Sequence, residues 1–154
     1  MVASGAHRER DDVQRTLGDA IVSANSDAIV AADKDGTIFF WNPGAERIFG
    51  YTSADAVGQS LDIIIPARLR KRHWDGYFQV MKSGESRYGH GDVLAVPAIT
   101  KSGKGISLEF TIVSLRSQTG ELLGFAAVMR DVTKRFEEKR ALERKLAEAM
   151  KQPR

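Results

Sequence analysis

Trp41-Asn42-Pro43-Gly44-Ala45-Glu46-Arg47-Ile48-Phe49-Gly50-Tyr51 is the stretch on which the fold turns. It reads as the end of a strand, a capped helix and an enforced stop. Asn42 has a side-chain acceptor for the free N–H groups of a first helical turn. Pro43 has the fixed φ and missing N–H that suit the first helical position, and Gly50 is a natural exit. The spacing predicts a helix over Gly44 to Phe49, with Trp41 and Phe49 in the core.

Upstream, Ala28-Ile29-Val30-Ala31-Ala32 reads as a strand and Asp33-Lys34-Asp35-Gly36 as a tight turn. Thr37-Ile38-Phe39-Phe40-Trp41 is a second strand, so the two form a hairpin. Before it, residues 8–25 carry Val13, Leu17, Ile21 and Val22 at helical spacing among polar positions, which predicts an amphipathic leader helix. Downstream, Thr52 to Ala56 gives a short helical turn that Gly58 breaks. Leu61-Asp62-Ile63-Ile64-Ile65-Pro66 then leads into the longest internal helix, roughly Ala67 to Lys82.

After Ser83-Gly84 the pattern becomes extended. Val93 to Ile99, Ile106 to Leu115 and Leu122 to Met129 are strand-like, separated by Lys101-Ser102-Gly103-Lys104-Gly105 and Ser117-Gln118-Thr119-Gly120-Glu121. Alternation is clearest in the middle strand, where Ile106, Leu108, Phe110 and Ile112 fall on one face. Ser107, Glu109 and Thr111 fall on the other, as in an antiparallel strand with one face on a core. Pro97 marks a bulge or an edge position. Two strands, several short helices and three strands make an α+β domain, an antiparallel sheet with helices on one face.

The composition narrows the function. At 154 residues, 42% hydrophobic and 28% charged, the chain is that of one soluble globular domain, and no apolar run approaches a membrane helix. The first residues lack the apolar core of a signal peptide, so a cytoplasmic location is expected. There is no cysteine, which excludes disulfides, thiolate zinc sites, cysteine nucleophiles and the covalent flavin chemistry of blue-light sensors. The formal charge is +3, but basic and acidic residues are interspersed, so no nucleic-acid partner is expected. The local cluster Arg68, Arg70, Lys71 and Arg72 is a solvated helix face or pairs with carboxylates of a bound cofactor. No nucleophile elbow, phosphate-binding glycine loop or metal-spaced histidine pair is present, so the chain does not read as an enzyme.

Four segments together resemble the PAS domain family: Asp27-Ala28-Ile29-Val30, Asp35-Gly36-Thr37-Ile38, Trp41 to Tyr51, and the closing Met129-Arg130-Asp131-Val132-Thr133. They occur in the family's order and spacing over residues 24–133. A leader helix at 1–23 and a C-terminal signalling or coiled-coil helix at 134–154 flank them. The resemblance implies a five-stranded antiparallel sheet cupped around a pocket by the central helices. It further implies a domain that is often dimeric and signals through its C-terminal helix.

Family membership does not choose a ligand. On the central helix Leu69, His73, Tyr77 and Val80 fall at i, i+4, i+8 and i+11, on one stripe. Read alone, His73 is a core or half-buried histidine. Its segment is similar to that of heme-PAS oxygen sensors and carbon monoxide regulators, which implies heme b with His73 as the iron ligand. Leu94 falls where the oxygen sensors carry a distal arginine and offers no hydrogen bond, which favours carbon monoxide over oxygen. There is no methionine between Met81 and Met129 to serve as a distal ligand. His90 is a candidate distal or propionate contact or else an exposed loop residue, and Arg87 and Tyr88 are candidates for a propionate. Alternation adds Leu94, Val96, Phe110, Ile112, Phe125, Ala127 and Met129, which line a cofactor slot or fill an ordinary core.

The expectation is a sensory domain that binds heme b through His73 and passes a gas signal (CO, O2 or NO) or a redox signal to its terminal helix. The alternative is a heme-free module for dimerisation or protein interaction, or one binding a small organic ligand. From Val132 to Met150, Phe136, Leu142, Leu146 and Ala149 or Met150 give a short coiled-coil-like seam. A homodimer is expected. No kinase, cyclase or DNA-binding domain lies within the 154 residues, so the expected output is a partner protein, a dimer rearrangement or a domain elsewhere.

Overall fold

The computed structural model describes residues 3–84 and 94–151. Helix α1 (Ala3–Val22) leads into strands β1 (Ala28–Asp33) and β2 (Ile38–Trp41), then helices α2 (Pro43–Phe49), α3 (Ser53–Ala56) and α4 (Arg70–Ser83). Strands β3 (Leu94–Ile99), β4 (Gly105–Arg116) and β5 (Leu122–Asp131) precede helix α5 (Thr133–Lys151). The strands form one antiparallel sheet in the order β2-β1-β5-β4-β3, with α2 to α4 gathered on one face. This is the α+β architecture expected from the alternation of its strands.

Asn42 is the hinge of the arrangement. It is 1% exposed, and its Oδ1 accepts from the N–H of Ala45 at 2.9 Å and of Ile29 at 2.8 Å. Its Nδ2 donates to the carbonyls of Ala24 at 3.1 Å and Asp27 at 3.0 Å. One amide therefore caps α2 and ties the helix to the start of β1. Gly44 completes the contact, because a Cβ there would lie 1.9 Å from the Asp27 carbonyl oxygen. Pro43 and Gly50 take the first helical and left-handed exit positions, as their chemistry demands.

Register decides which residues meet on the helix-covered face. Ala28, Met129 and Phe110 align across β1, β5 and β4, and so do Val30, Ala127 and Ile112. On β3, Val96 aligns with Leu108 and Ala98 with Ile106. Pro97 lies in this edge strand, where its missing N–H interrupts no central ladder. A bulge between Ala31 and Ala32 shifts the pairing with β2.

The longest internal helix differs from its expected form. Ala67–Leu69 is a separate 3₁₀ turn, and α4 begins only at Arg70, with Leu69 as its non-helical cap at ψ −7°. The change from three to 3.6 residues per turn breaks the phase that put Leu69 on the His73 stripe.

Replacing Asn42 with alanine strands buried N–H and C=O groups on both β1 and α2. Asn42→Ala is expected to cost roughly 3 kcal/mol of unfolding free energy in urea titration, with little change in slope. A loss below about 1 kcal/mol would mean that the amide does not organise this junction.

Candidate functional site

Between the sheet and α4 lies a cavity of about 140 Å³. Its walls are Val30 and Ala32 of β1, Val96 to Ala98 of β3, Leu108, Phe110 and Ile112 of β4, and Phe125 to Ala127 and Met129 of β5. Leu61, Ile64 and Ile65 close one side, and His73 and Tyr77 of α4 form the roof. The lining is apolar apart from those two side chains.

Tyr77 is already committed, since its hydroxyl donates to the Asp33 carbonyl; burial holds the phenol well above its ordinary range. His73 is different: its Nδ1 is the one buried side-chain nitrogen or oxygen without a hydrogen-bond partner among the described residues. Such a vacancy ordinarily costs about 1–3 kcal/mol, so it calls for an explanation. Burial lowers the imidazole's proton affinity, an effect partly opposed by the Asp62 carboxylate. The neutral ring is therefore favoured, and its unpaired nitrogen belongs to a side chain lining an apolar cavity.

The seat of α4 is built from aromatic contacts and a few polar clasps. Trp74 Nε1 donates to Asp62 Oδ1 at 2.7 Å, and its ring rests on Gly36. A Cβ on Gly36 would lie 2.1 Å from the indole, and its φ of +79° also favours glycine. The Arg70 guanidinium reaches the carbonyls of Asp62 and Ile65, each at 3.2 Å. No residue of α4 is fully buried.

Of the expected site residues, His73, Tyr77, Val96, Phe110, Ile112, Phe125, Ala127 and Met129 line the cavity. Leu69 does not, because the 3₁₀ turn removes it from the stripe. Val80 is half-buried and also outside the lining, about 10 Å along the helix axis from His73. The Leu94 backbone pairs with Phe110 in β3, but its side chain is not described. His90, Arg87 and Tyr88 lie outside the described residues. Sequence reading missed Val30, Ala32, Leu61, Ile64 and Ile65, whose only signal was apolarity.

For a heme, the donor and the volume give different answers. A neutral, unpaired imidazole suits iron ligation, and one protein ligand suffices. The cavity, however, is well below the roughly 300 Å³ at which pockets for drug-sized ligands begin. It closes on a porphyrin unless α4 moves away from the sheet. No cluster of three metal-ligating side chains occurs among the described residues.

A second, open cleft of about 390 Å³ lies where α5 leaves the sheet, among Arg47, Lys104, Arg130, Lys134, Asp131 and Glu137. There Arg130 makes a bidentate pair with Asp27 at 3.0 and 2.9 Å, which lowers the proton affinity of that carboxylate. Thr133 accepts from the Ser107 N–H at 3.0 Å and its own N–H donates to Asp131. Arg135 pairs with Glu109.

Comparison with known proteins agrees with this architecture. The model of the family described as PAS domain matches residues 26–134. The signal transduction histidine-protein kinase AtoS of Escherichia coli is 28% identical over 130 residues, 83% of this chain and 20% of that protein. The sensor protein FixL of Bradyrhizobium diazoefficiens is 28% identical over 129 residues, 84% of this chain and 24% of that protein. The chain spans about a fifth of the length of the curated relatives it matches. Among solved structures, a PAS domain from Colwellia psychrerythraea superposes with a TM-score of 0.66 at 22% identity, covering 79% of this chain and 98% of that one.

Because His73 is held neutral by burial, the folded chain resists a proton that the unfolded chain accepts. Its contribution is complete above the ordinary histidine value of 6.5 and is lost as pH falls from there toward the lowered folded value. The thermal midpoint is expected to drop between about pH 7.5 and 5.5, and to drop less in His73→Leu. Equal slopes in the two proteins would show that His73 is not the titrating group.

Proposed function

We propose that this chain, which belongs to the PAS domain family, is a sensory module whose stimulus is a ligand held beneath α4 against His73. The observation that carries this reading is the buried, unpaired His73 Nδ1 on a ring lining an otherwise apolar cavity. A ligand there supplies the missing partner. It touches α4 and three sheet strands at once, so occupancy shifts the balance between arrangements of the sheet and the exit helix.

A small organic ligand enters this cavity without rearrangement, and this is the reading the volume favours. Heme b is the second reading, supported by the iron-compatible imidazole and by similarity to FixL. When bound, heme would supply an iron that responds to a diatomic gas such as CO, O2 or NO, or to redox change. His73 would hold it, and the apolar lining would exclude water. Hemin added to the purified chain then produces a Soret band that His73→Ala shifts or removes. No sharp band, or one indifferent to the substitution, sinks the heme reading and leaves the organic ligand.

Homodimerisation belongs to the same proposal. Val13, Leu17 and Ile21 of α1 are 52–67% exposed along one stripe, and Leu142, Leu146 and Met150 of α5 are 62–79% exposed. Burying such stripes against a second copy removes apolar surface that a lone chain leaves in water. Sedimentation at micromolar concentration is expected to give a dimer mass, reduced toward the monomer by Leu17→Glu. A monomer in the unaltered chain would count against the dimer.

A further inference from the structure

The dimensions and chemistry of the α4 cavity specify a ligand class more narrowly than the family does. The space is about 140 Å³. An engineered apolar cavity of about 150 Å³ takes benzene, so this one matches a single aromatic ring or an aliphatic group of that bulk. No lining side chain is a carboxylate, ammonium or guanidinium. A charged ligand would lose its hydration and gain no counter-ion.

Water is a poor occupant for a related reason. A buried water needs two to four polar partners. The cavity offers the His73 nitrogen, while the Tyr77 hydroxyl already donates to the Asp33 carbonyl. Ring faces are well provided for, by Phe110 and Phe125 against small Ala98 and Ala127.

We propose that the cavity binds an uncharged molecule of about one ring bearing a single hydroxyl, of which phenol is the simplest, with that hydroxyl meeting His73 Nδ1. A hydroxyl both donates and accepts, so it satisfies the nitrogen in either imidazole tautomer. The ring fills the apolar volume between Phe110 and Ala127. Binding replaces an unpaired polar atom with a paired one and removes an empty space, which gives the ligand a reason to seat α4 more firmly. This inference rests on the reading that the α4 cavity is the ligand site.

Phenol, toluene and benzoate titrated into the full isotopically labelled chain, followed by amide NMR shifts, test it. Phenol is expected to perturb the amides of Ala98, Ala127 and Met129 and to bind on the order of threefold to tenfold more tightly than toluene, the worth of one hydrogen bond. Benzoate is expected to leave these amides unmoved. His73→Leu is expected to bring phenol down to the level of toluene, and the comparison of the three probes on the unaltered chain stands without that variant. Equal affinity for phenol and toluene, or tightest binding of benzoate, overturns the ligand class while the cavity remains the ligand site. Silence with all three probes, beside a Soret band that depends on His73, overturns the class and leaves a larger ligand. Silence with the probes and with hemin overturns both readings.

Discussion

The Asn42 side chain is the constraint from which the rest of the domain follows. A buried amide is tolerated only when its donors and acceptors are used, and Asn42 uses them on two elements at once. Its acceptor oxygen serves α2 and β1, and its donor nitrogen fixes the chain entering β1. Aspartate would keep the acceptor and lose the donor, and glutamine would place the same groups one methylene too far away. With α2 held against the Asp27 carbonyl at Gly44, the following chain must pass around the hydrophobic face, and α3 and α4 inherit their places from that path.

The cavity is a consequence of side-chain size within that frame. Protein interiors are normally close-packed, yet the concave face here places Ala32, Ala98 and Ala127 opposite a helix that buries no residue completely. The α4 helix is kept at that distance by its edges, where Trp74 stands on Gly36 and bonds Asp62, and Tyr77 reaches Asp33. Elements seated by few buried apolar contacts belong to the less stable end of a structure. A helix of this kind can respond to what lies under it at little cost to the Asn42 junction.

Backbone organisation was legible because short-range chemistry dictates it. The Asn42-Pro43 cap, the Gly50 exit and the alternation from Ile106 to Ile112 each have a local cause, and the structure realises them. Alternation also located Val96, Phe110, Ile112, Ala127 and Met129, since a period of two assigns a sheet face without knowledge of the partner strand. Where local cause ended, reading failed. Leu69 was lost because a 3₁₀ turn interrupts the helical phase, and Leu61, Ile64 and Ile65 carry no periodic signal. The unpaired state of His73 Nδ1 and the volume beside it depend on residues far apart in sequence, and no pattern in a single stretch encodes them.

The two faces of β4 explain how such a site reaches the exit helix. Leu108, Phe110 and Ile112 line the cavity, whereas Ser107 and Glu109 face the other way. Ser107 donates its N–H to Thr133 and accepts from the Val132 N–H at 2.9 Å, and Glu109 pairs with Arg135. A strand is stiff along its hydrogen-bonded ladder, so a displacement of Phe110 by an occupant cannot leave its neighbours Glu109 and Thr111 where they were. The pairing of Phe110 with Met129 extends the same displacement to β5, whose end is the start of α5. The cavity and the helix anchor are thus opposite faces of one strand pair, and the coupling needs no chain of contacts longer than the thickness of the sheet.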